Sequence, residues 1–266
     1  MEDVDQVYFE LRNLLEEAVK EKRAEGILLS GGLDTSIIAF LAKKYVPDLK
    51  AFTISLKGYD VDLSYARIVA SELELEHKIY LFSEDEFWQA AASLKGFRDD
   101  CQGLKEPVGL SVLVPTYLIM NCAKEQVDSI YTGIGADELF LGYPAMISTV
   151  ECLASFEDEL GSNLGNRLFL DVLNFCDVEY QDKIGEILSL DVVSPYLNPQ
   201  VREYALKLDI KYKVRGQGGN LWGKWILRKA FENDLPQEVV WRRKVPMERG
   251  TGSYKFIDAW EIKEAF

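Results

Sequence analysis

Strand-like and helix-like segments alternate through the first half of this 266-residue sequence. "GILLS" (26–30), "KAFTISL" (50–56), "HKIYLF" (77–82) and "DSIYTG" (128–133) carry the short apolar or alternating pattern of strands. Between them, "TSIIAFLAKKYV" (35–46) sets Ile37, Ile38, Leu41 and Tyr45 on one helix face. "DLSYARIVASELEL" (62–75) reads as a helix with Asp62 as N-cap and first-turn acid. "EDEFWQAAASLK" (84–95) and "VLVPTYLIMNCAKE" (112–125) are helical as well. Such alternation predicts an α/β fold, a mostly parallel sheet with helices on both faces. Ligands of open sheets bind beyond the carboxyl ends of the strands. Two glycine-bearing segments, after Leu29 and after Tyr131, fall at that edge.

From about residue 144 the pattern becomes helical, in "AMISTVECLASFEDEL", "LGNRLFLDVLNFCDV" and "PQVREYALKL", and no strong strands are expected there. The expected organisation is an N-terminal helix (1–25), an α/β core (26–150) and a helical C-terminal portion (151–266) that completes the site. No internal repeat or low-complexity segment interrupts it.

Composition narrows the partners. The net charge of −14 argues against nucleic acid, which needs surplus Lys and Arg against phosphate. Residues 213–249 run the other way, with nine Lys or Arg against four Asp or Glu. This basic segment is either a solvated face or a surface for a small polyanion such as a nucleoside triphosphate. No segment is long and apolar enough to cross a membrane, and the acidic, amphipathic N-terminus is unlike a signal peptide. The four cysteines lie at least twenty residues apart and only His77 is present, so reduced structural cysteines in a cytoplasmic protein are expected rather than a zinc site.

"LLSGGLDTS" (28–36) is the strongest local signal. A strand ends, two glycines turn the backbone, and a helix begins, leaving free N–H groups and a helix dipole that favour an anion. Ser30, Thr35 and Ser36 add donors. Asp34 would repel phosphate unless a divalent cation lies between them, and Mg²⁺ prefers one or two carboxylates plus phosphate oxygens. The plainer alternative is a Gly-Gly turn with a capping Asp. The segment is not a Walker loop, and "GGNLWGK" (218–224), which fits GxxxxGK, is an accidental match because Trp225 stands where a hydroxyl belongs. "TGIGADELFLGY" (132–143) forms the second glycine-bearing loop, with Asp137 and Glu138 supplying charge.

Together these residues resemble a known family. "SGGLDTS" is similar to the pyrophosphatase loop of the ATP-α-hydrolase superfamily, whose members cleave ATP to AMP and pyrophosphate. "TGIGADELFLGY" resembles the "GEGADELFGGY" loop of asparagine synthetases. "GKWILRKAFENDLPQEVVWRRK" (223–244) resembles their C-terminal "KxxLRxxF…LPxxVxxRxK" stretch, and "LDVVSPYLN" (190–198) a weakened "LEARVPFLD". The resemblance spans roughly residues 15–260. It implies an adenine nucleotide α-hydrolase-like fold and an ATP- and Mg²⁺-dependent amide-forming ligase. Carried onto this chain, it implies Asp34 and Asp137 as Mg²⁺ ligands, and Ser30, Gly31, Gly32, Thr35 and Ser36 around the pyrophosphate. Leu29, Ile54, Ser55, Thr132 and Gly133 would hold adenosine, and Lys224 would neutralise charge between the α-phosphate and pyrophosphate. Without the resemblance, Lys224 reads as an exposed helix lysine and Asp137 as a helix-capping acid. Arg228, Arg242, Arg243 and Lys244 read singly as surface residues, with at least one meeting phosphate.

The acceptor side departs from the family. Ile134 stands where the family has the Glu that meets the incoming amine. Tyr180 stands near the position of an Arg that grips the substrate carboxylate, and Val193 also replaces an Arg. Only about 25 residues precede the first strand, so no glutaminase domain is expected in this chain. Nitrogen would come from free ammonia, a separate glutaminase partner or a substrate amine. The acceptor is a small molecule of open identity, and homo-oligomerisation is open. Two alternatives share the ATP site: the same α,β-cleavage used for another modification such as thiolation, or a non-catalytic ATP-binding subunit. His77 is expected to be structural or close to the nucleotide.

Overall fold

The computed structural model describes residues 4–94, 96–97, 107–148 and 180–256. In chain order the elements are α1 (Val4–Glu21), β1 (Gly26–Leu28), α2 (Leu33–Lys43), β2 (Lys50–Leu56), α3 (Val61–Glu72), β3 (Glu76–Phe82), α4 (Glu84–Ser93), α5 (Pro107–Ala123), β4 (Ser129–Tyr131) and α6 (Ala136–Phe140). In the described segment 180–256 come α7 (Tyr180–Leu188), β5 (Asp191–Val193), α8 (Pro199–Lys207), α9 (Ile210–Lys213), β6 (Arg215–Gln217), β7 (Asn220–Trp222), α10 (Trp225–Phe231), α11 (Gln237–Val240) and α12 (Met247–Thr251).

The five strands β3-β2-β1-β4-β5 form one parallel sheet in that order. The chain therefore builds outward from β1 to β3 on one side, then returns to lay β4 and β5 on the other. Strand order reverses between β1 and β4, the place where open α/β sheets bind ligands. Successive side chains of a strand point to opposite faces, and the core divides accordingly. Ile27, Leu29 and Ala51 join α1, α2, α3, α8 and α10 in one apolar cluster. Phe52, Ile54 and Ile130 join α4, α5 and α7 in the other.

Helix α1 is part of the first cluster. It buries Val7, Leu11, Leu15, Ala18 and Val19, a single stripe at helical spacing. The Tyr131 hydroxyl donates to the Val19 carbonyl at 2.9 Å, and Tyr204 to that of Val7 at 2.9 Å. Arg12 reaches Asp234 and the Ala230 carbonyl. The tyrosine bonds tie the N-terminal helix to β4 and α8, and Arg12 ties it to the segment that carries Lys224.

Two expectations change. A fifth sheet strand exists beyond residue 144: β5 pairs in parallel with β4, Tyr131 opposite Val193. Three residues opening on an exposed Asp191 are too short to show strand periodicity, so only the neighbouring β4 edge makes this segment a strand. Asp62 is not the N-cap of α3. Asp60 holds that position, and Asp62 sits in the first turn, buried against Arg242. The "GGNLWGK" stretch, in keeping with an accidental match to a phosphate loop, supplies the turn and second strand of a hairpin in which Gly218 and Gly219, with φ of 60° and 75°, join β6 to β7. Positive φ at both central residues is what a two-residue turn between twisted strands requires. The helical readings over 149–179 lie outside the described residues, as do Cys101, Cys152 and Cys176. Among the described residues, Cys122 is a free thiol. No helix among them is long and apolar enough to cross a membrane.

Candidate active site

The loop after β1 is held by its own hydroxyls. The Ser30 amide donates to Thr35 Oγ1 at 3.2 Å, and Ser30 Oγ accepts from the Gly32 amide at 3.2 Å. Ser36 Oγ donates back to the Gly32 carbonyl at 2.7 Å, so this fully buried hydroxyl closes the turn. Gly31 has φ +66°, and a Cβ there would lie 2.3 Å from the Ala66 amide nitrogen, so α3 packs too closely for any side chain. Helix α2 then begins at Leu33 and carries Asp34 in its first turn. Tyr196, from the segment after β5, donates to the Asp34 carbonyl at 3.1 Å.

The loop after β4 lies alongside. Gly133 abuts Asp34 and Thr35, and α6 brings Asp137 and Glu138 in its first turn. A third segment closes the group. Lys224 caps α10 in the left-handed conformation, φ 55°, with its amide donating to the Phe140 carbonyl at 2.9 Å. That conformation is uncommon for a side-chain-bearing residue and points the ammonium between the two loops. Lys224 Nζ lies 2.6 Å from Asp34 Oδ2 and 2.7 Å from Asp137 Oδ1. Lys244 Nζ meets the other Asp137 oxygen at 2.6 Å. The fit depends on Gly142, where a Cβ would fall 1.9 Å from Asp137 Oδ1 and 2.2 Å from Lys224 Cε.

Buried arginines hold the basic segment. Arg228 Nε donates to the Gly223 carbonyl at 3.0 Å and its NH1 group to those of Val240 and Arg242. It therefore ties the Lys224 turn to the segment bearing Lys244, and burial lowers its pKa to about 10. Arg242 pairs with Asp62 at 2.6 Å, donates to the Ser30 carbonyl at 3.4 Å and covers the Tyr65 ring at 4.1 Å. Surface placement was the expectation for each of these arginines, but both are more than nine-tenths buried. Helical and turn periodicity gave no sign of it, because their partners lie across the tertiary structure.

Charge is balanced within this cluster. Burial disfavours the Asp137 carboxylate, but Lys224 and Lys244 outweigh it and hold its pKa below the ordinary value. Burial likewise opposes the Lys244 ammonium, and Asp137 with Asp34 reverses the effect, leaving its pKa raised. Glu138 is pushed up by burial and next by the Asp137 charge, and it accepts from the Tyr143 hydroxyl.

Two cavities share these residues. A small niche of about 60 Å³ is lined by Ser30, Gly32, Asp34, Lys224, Arg242 and Arg243, among others. A larger cleft of about 660 Å³ opens beside it, with Leu29, Ile54, Thr132, Gly133, Asp137 and Ile134 in its wall. Leu29, Ser30, Gly32, Asp34, Thr35, Ile54, Thr132, Gly133, Asp137 and Lys224 therefore line one or other of two cavities that share Ser30, Asp34 and Lys244 in their walls. Gly31, Ser36 and Ser55 stand behind them. Ser55 Oγ is turned to the Tyr59 carbonyl at 2.7 Å. His77 Nε2 lies 2.8 Å from Thr53 Oγ1, whose only proton goes to the Leu29 carbonyl at 2.6 Å, so the ring donates and supports the cleft wall from behind. The direct clasp of Lys244 on Asp137 has no signal in the sequence, where Arg242, Arg243 and Lys244 read singly as surface residues with at least one meeting phosphate.

Asp34 Oδ1 is buried with no hydrogen-bond partner, and both carboxylates lean on one ammonium. Among the described residues no group of three or more His, Cys, Asp or Glu converges. Two carboxylates with a spare oxygen suit a hard divalent ion that takes its other ligands from water or phosphate.

A family model described as Asparagine synthase matches residues 10–174 and 161–261. A probable glutamine-hydrolyzing asparagine synthetase of Schizosaccharomyces pombe is 31% identical, over 94% of this chain and 48% of its own length. The glutamine-hydrolyzing asparagine synthetase of Gallus gallus is 29% identical, over 95% of this chain and 45% of its own length. The chain spans about half the length of the curated relatives it matches. An NH3-dependent NAD synthetase structure from Campylobacter jejuni aligns with 89% of this chain and 98% of its own, at 16% identity and a TM-score of 0.36.

Proposed function

Because the chain belongs to the asparagine synthase family, we propose that it is an ATP-dependent ligase that adenylates a carboxylate or amide acceptor and then forms a C–N bond. The observation that carries this reading is the Lys224 ammonium set between Asp34 and Asp137 at the strand-order reversal. Leu29, Ile54, Thr132 and Gly133 form the wall for the nucleoside, and the loop Ser30–Ser36 with Arg242 and Arg243 borders the niche for the pyrophosphate.

In the first step an acceptor oxygen attacks the α-phosphorus. The new P–O bond forms as the bond from the α-phosphorus to the bridging oxygen breaks, and pyrophosphate leaves with that electron pair. Lys224 and Lys244 hold fixed positive charge where negative charge grows, so little reorganisation accompanies the step. Asp34 and Asp137 would hold Mg²⁺, which would screen the phosphate oxygens. In the second step a nitrogen nucleophile adds to the activated carbon, AMP leaves, and the nitrogen gives up a proton.

Pyrophosphate and AMP release with candidate acids, ammonium and Mg²⁺-ATP tests the proposal. Wild type should release both, chelation of divalent ions should stop it, and Asp34→Ala should lower the rate at least a hundredfold. ADP as product, or no pyrophosphate with any acid, sinks it.

A further inference from the structure

Resting on that adenylating reading, we infer that the acceptor is a monocarboxylate with a largely apolar body, selected by Ile134 and by hydrogen bonding to Gln181 rather than by a cation that would pair a second carboxylate. The cleft wall is rich in carboxylates and poor in cations among the described residues, with Asp34, Asp62, Asp137, Glu138 and Glu248 against Lys244. Among the described residues that line it, Lys244 is the one cation, and it is bound to Asp137 at 2.6 Å. Asp34 is held by Lys224 and Asp62 by Arg242. Glu138 accepts from Tyr143. A second carboxylate on the acceptor would enter without a counter-ion, and an unpaired buried charge is strongly disfavoured.

What the wall offers instead is apolar surface and neutral polarity. Ile134 and Val112 rest on the second core cluster and line the cleft, with Pro246 and Met247 contributed by the start of α12. Tyr180 and Gln181 open α7, and both are about nine-tenths buried. Gln181 Nε2 donates to the Tyr180 hydroxyl at 2.9 Å, while its Oε1 has no partner. A buried amide oxygen left unpaired in a cleft wall is a costly feature that a ligand N–H or O–H would satisfy. Neutral recognition of this kind discriminates well, because a ligand lacking the partner leaves the group unpaired.

Calorimetric binding to protein saturated with Mg²⁺ and α,β-methylene-ATP, which cannot be cleaved between those phosphates, tests the inference apart from turnover. Phenylacetate should bind at least tenfold more tightly than aspartate. Ile134→Glu should cost phenylacetate at least tenfold in affinity, while Ile134→Val, which keeps the apolar wall, should change it less than threefold. Gln181→Leu should weaken a phenylacetate analogue bearing a hydroxyl more than phenylacetate itself, with folding checked by thermal melting. Aspartate binding as tightly as phenylacetate, or neither acid binding, overturns the inference. Selective phenylacetate binding with no pyrophosphate release from ATP by any acid would instead overturn the adenylating reading and leave the acceptor preference supported.

Discussion

Lys224 and Asp34 lie 190 positions apart in the sequence and meet at 2.6 Å, the lysine almost fully buried. The same ammonium also meets Asp137, so one positive charge joins the loops after β1 and β4. This contact is where fold stability and proposed chemistry coincide. Removing the lysine leaves two carboxylates facing each other, with Lys244 the remaining partner of Asp137.

Lys224→Met is expected to lower pyrophosphate release by about two to three orders of magnitude, the range for losing a preorganised charge at a developing anion. Breaking a buried pair from one side also costs about 3–5 kcal/mol of stability. Urea denaturation of Lys224→Met and of the Lys224→Met/Asp34→Asn double variant checks this. The double variant should recover part of the stability and none of the activity. Equal stability in wild type and single variant contradicts the structural half.

Arg242 and Asp62 form a second buried pair, 2.6 Å apart. Arg242→Met should destabilise by about 3 kcal/mol through the stranded carboxylate. Burial already raises the Asp62 pKa, and losing Arg242 raises it further. A folded-state pKa above the unfolded value means the folded state takes up the proton first as pH falls, so the variant's deficit shrinks towards acid. Chemical denaturation of both proteins at pH 7.5 and pH 5 measures it. A deficit that is the same at both pH values counts against the account.

Gly142→Ala places a methyl within 1.9 Å of Asp137 Oδ1 and 2.2 Å of Lys224 Cε. Both side chains must shift, and overpacking of this size costs about 1–3 kcal/mol. We expect a folded protein with at least tenfold slower pyrophosphate release, read by circular dichroism and a coupled pyrophosphate assay. Full activity would show that the lysine tolerates displacement.

Glu86 reports on acid stability away from the site. Hydrogen bonds from the Ser83 side chain, then the Tyr80 hydroxyl, then the Ser83 amide hold its pKa down to about 2, against an ordinary 4.5. A depressed folded-state pKa contributes stability above the unfolded value, and that contribution is lost as pH falls from about 4.5 towards 2. Glu86→Gln should therefore be less stable than wild type at pH 6, with the gap closing by pH 2.5. Melting temperatures at the two pH values decide the matter.

Much of this molecule was legible along the chain because the deciding forces are local or periodic. Alternating strand and helix patterns predicted the parallel sheet, and β1 through β4 stand where their apolar residues placed them. The glycines and hydroxyls of 30–36 marked the sharp turn from β1 into α2, where Gly31 takes φ +66°. Other features have no local cause. β5 is a strand because β4 offers an unpaired edge to three residues that show no pattern of their own. Arg228 and Arg242 read as surface cations, yet both are buried, since carbonyls and a carboxylate from distant segments satisfy their donors. Sequence by itself determined the layers and the residue types of the site. Only the tertiary structure decided that Lys224 and Lys244 clasp the two aspartates, because that requires the return of the C-terminal segment onto the edge where strand order reverses, and the interaction of charges depends on distance in space, not along the chain.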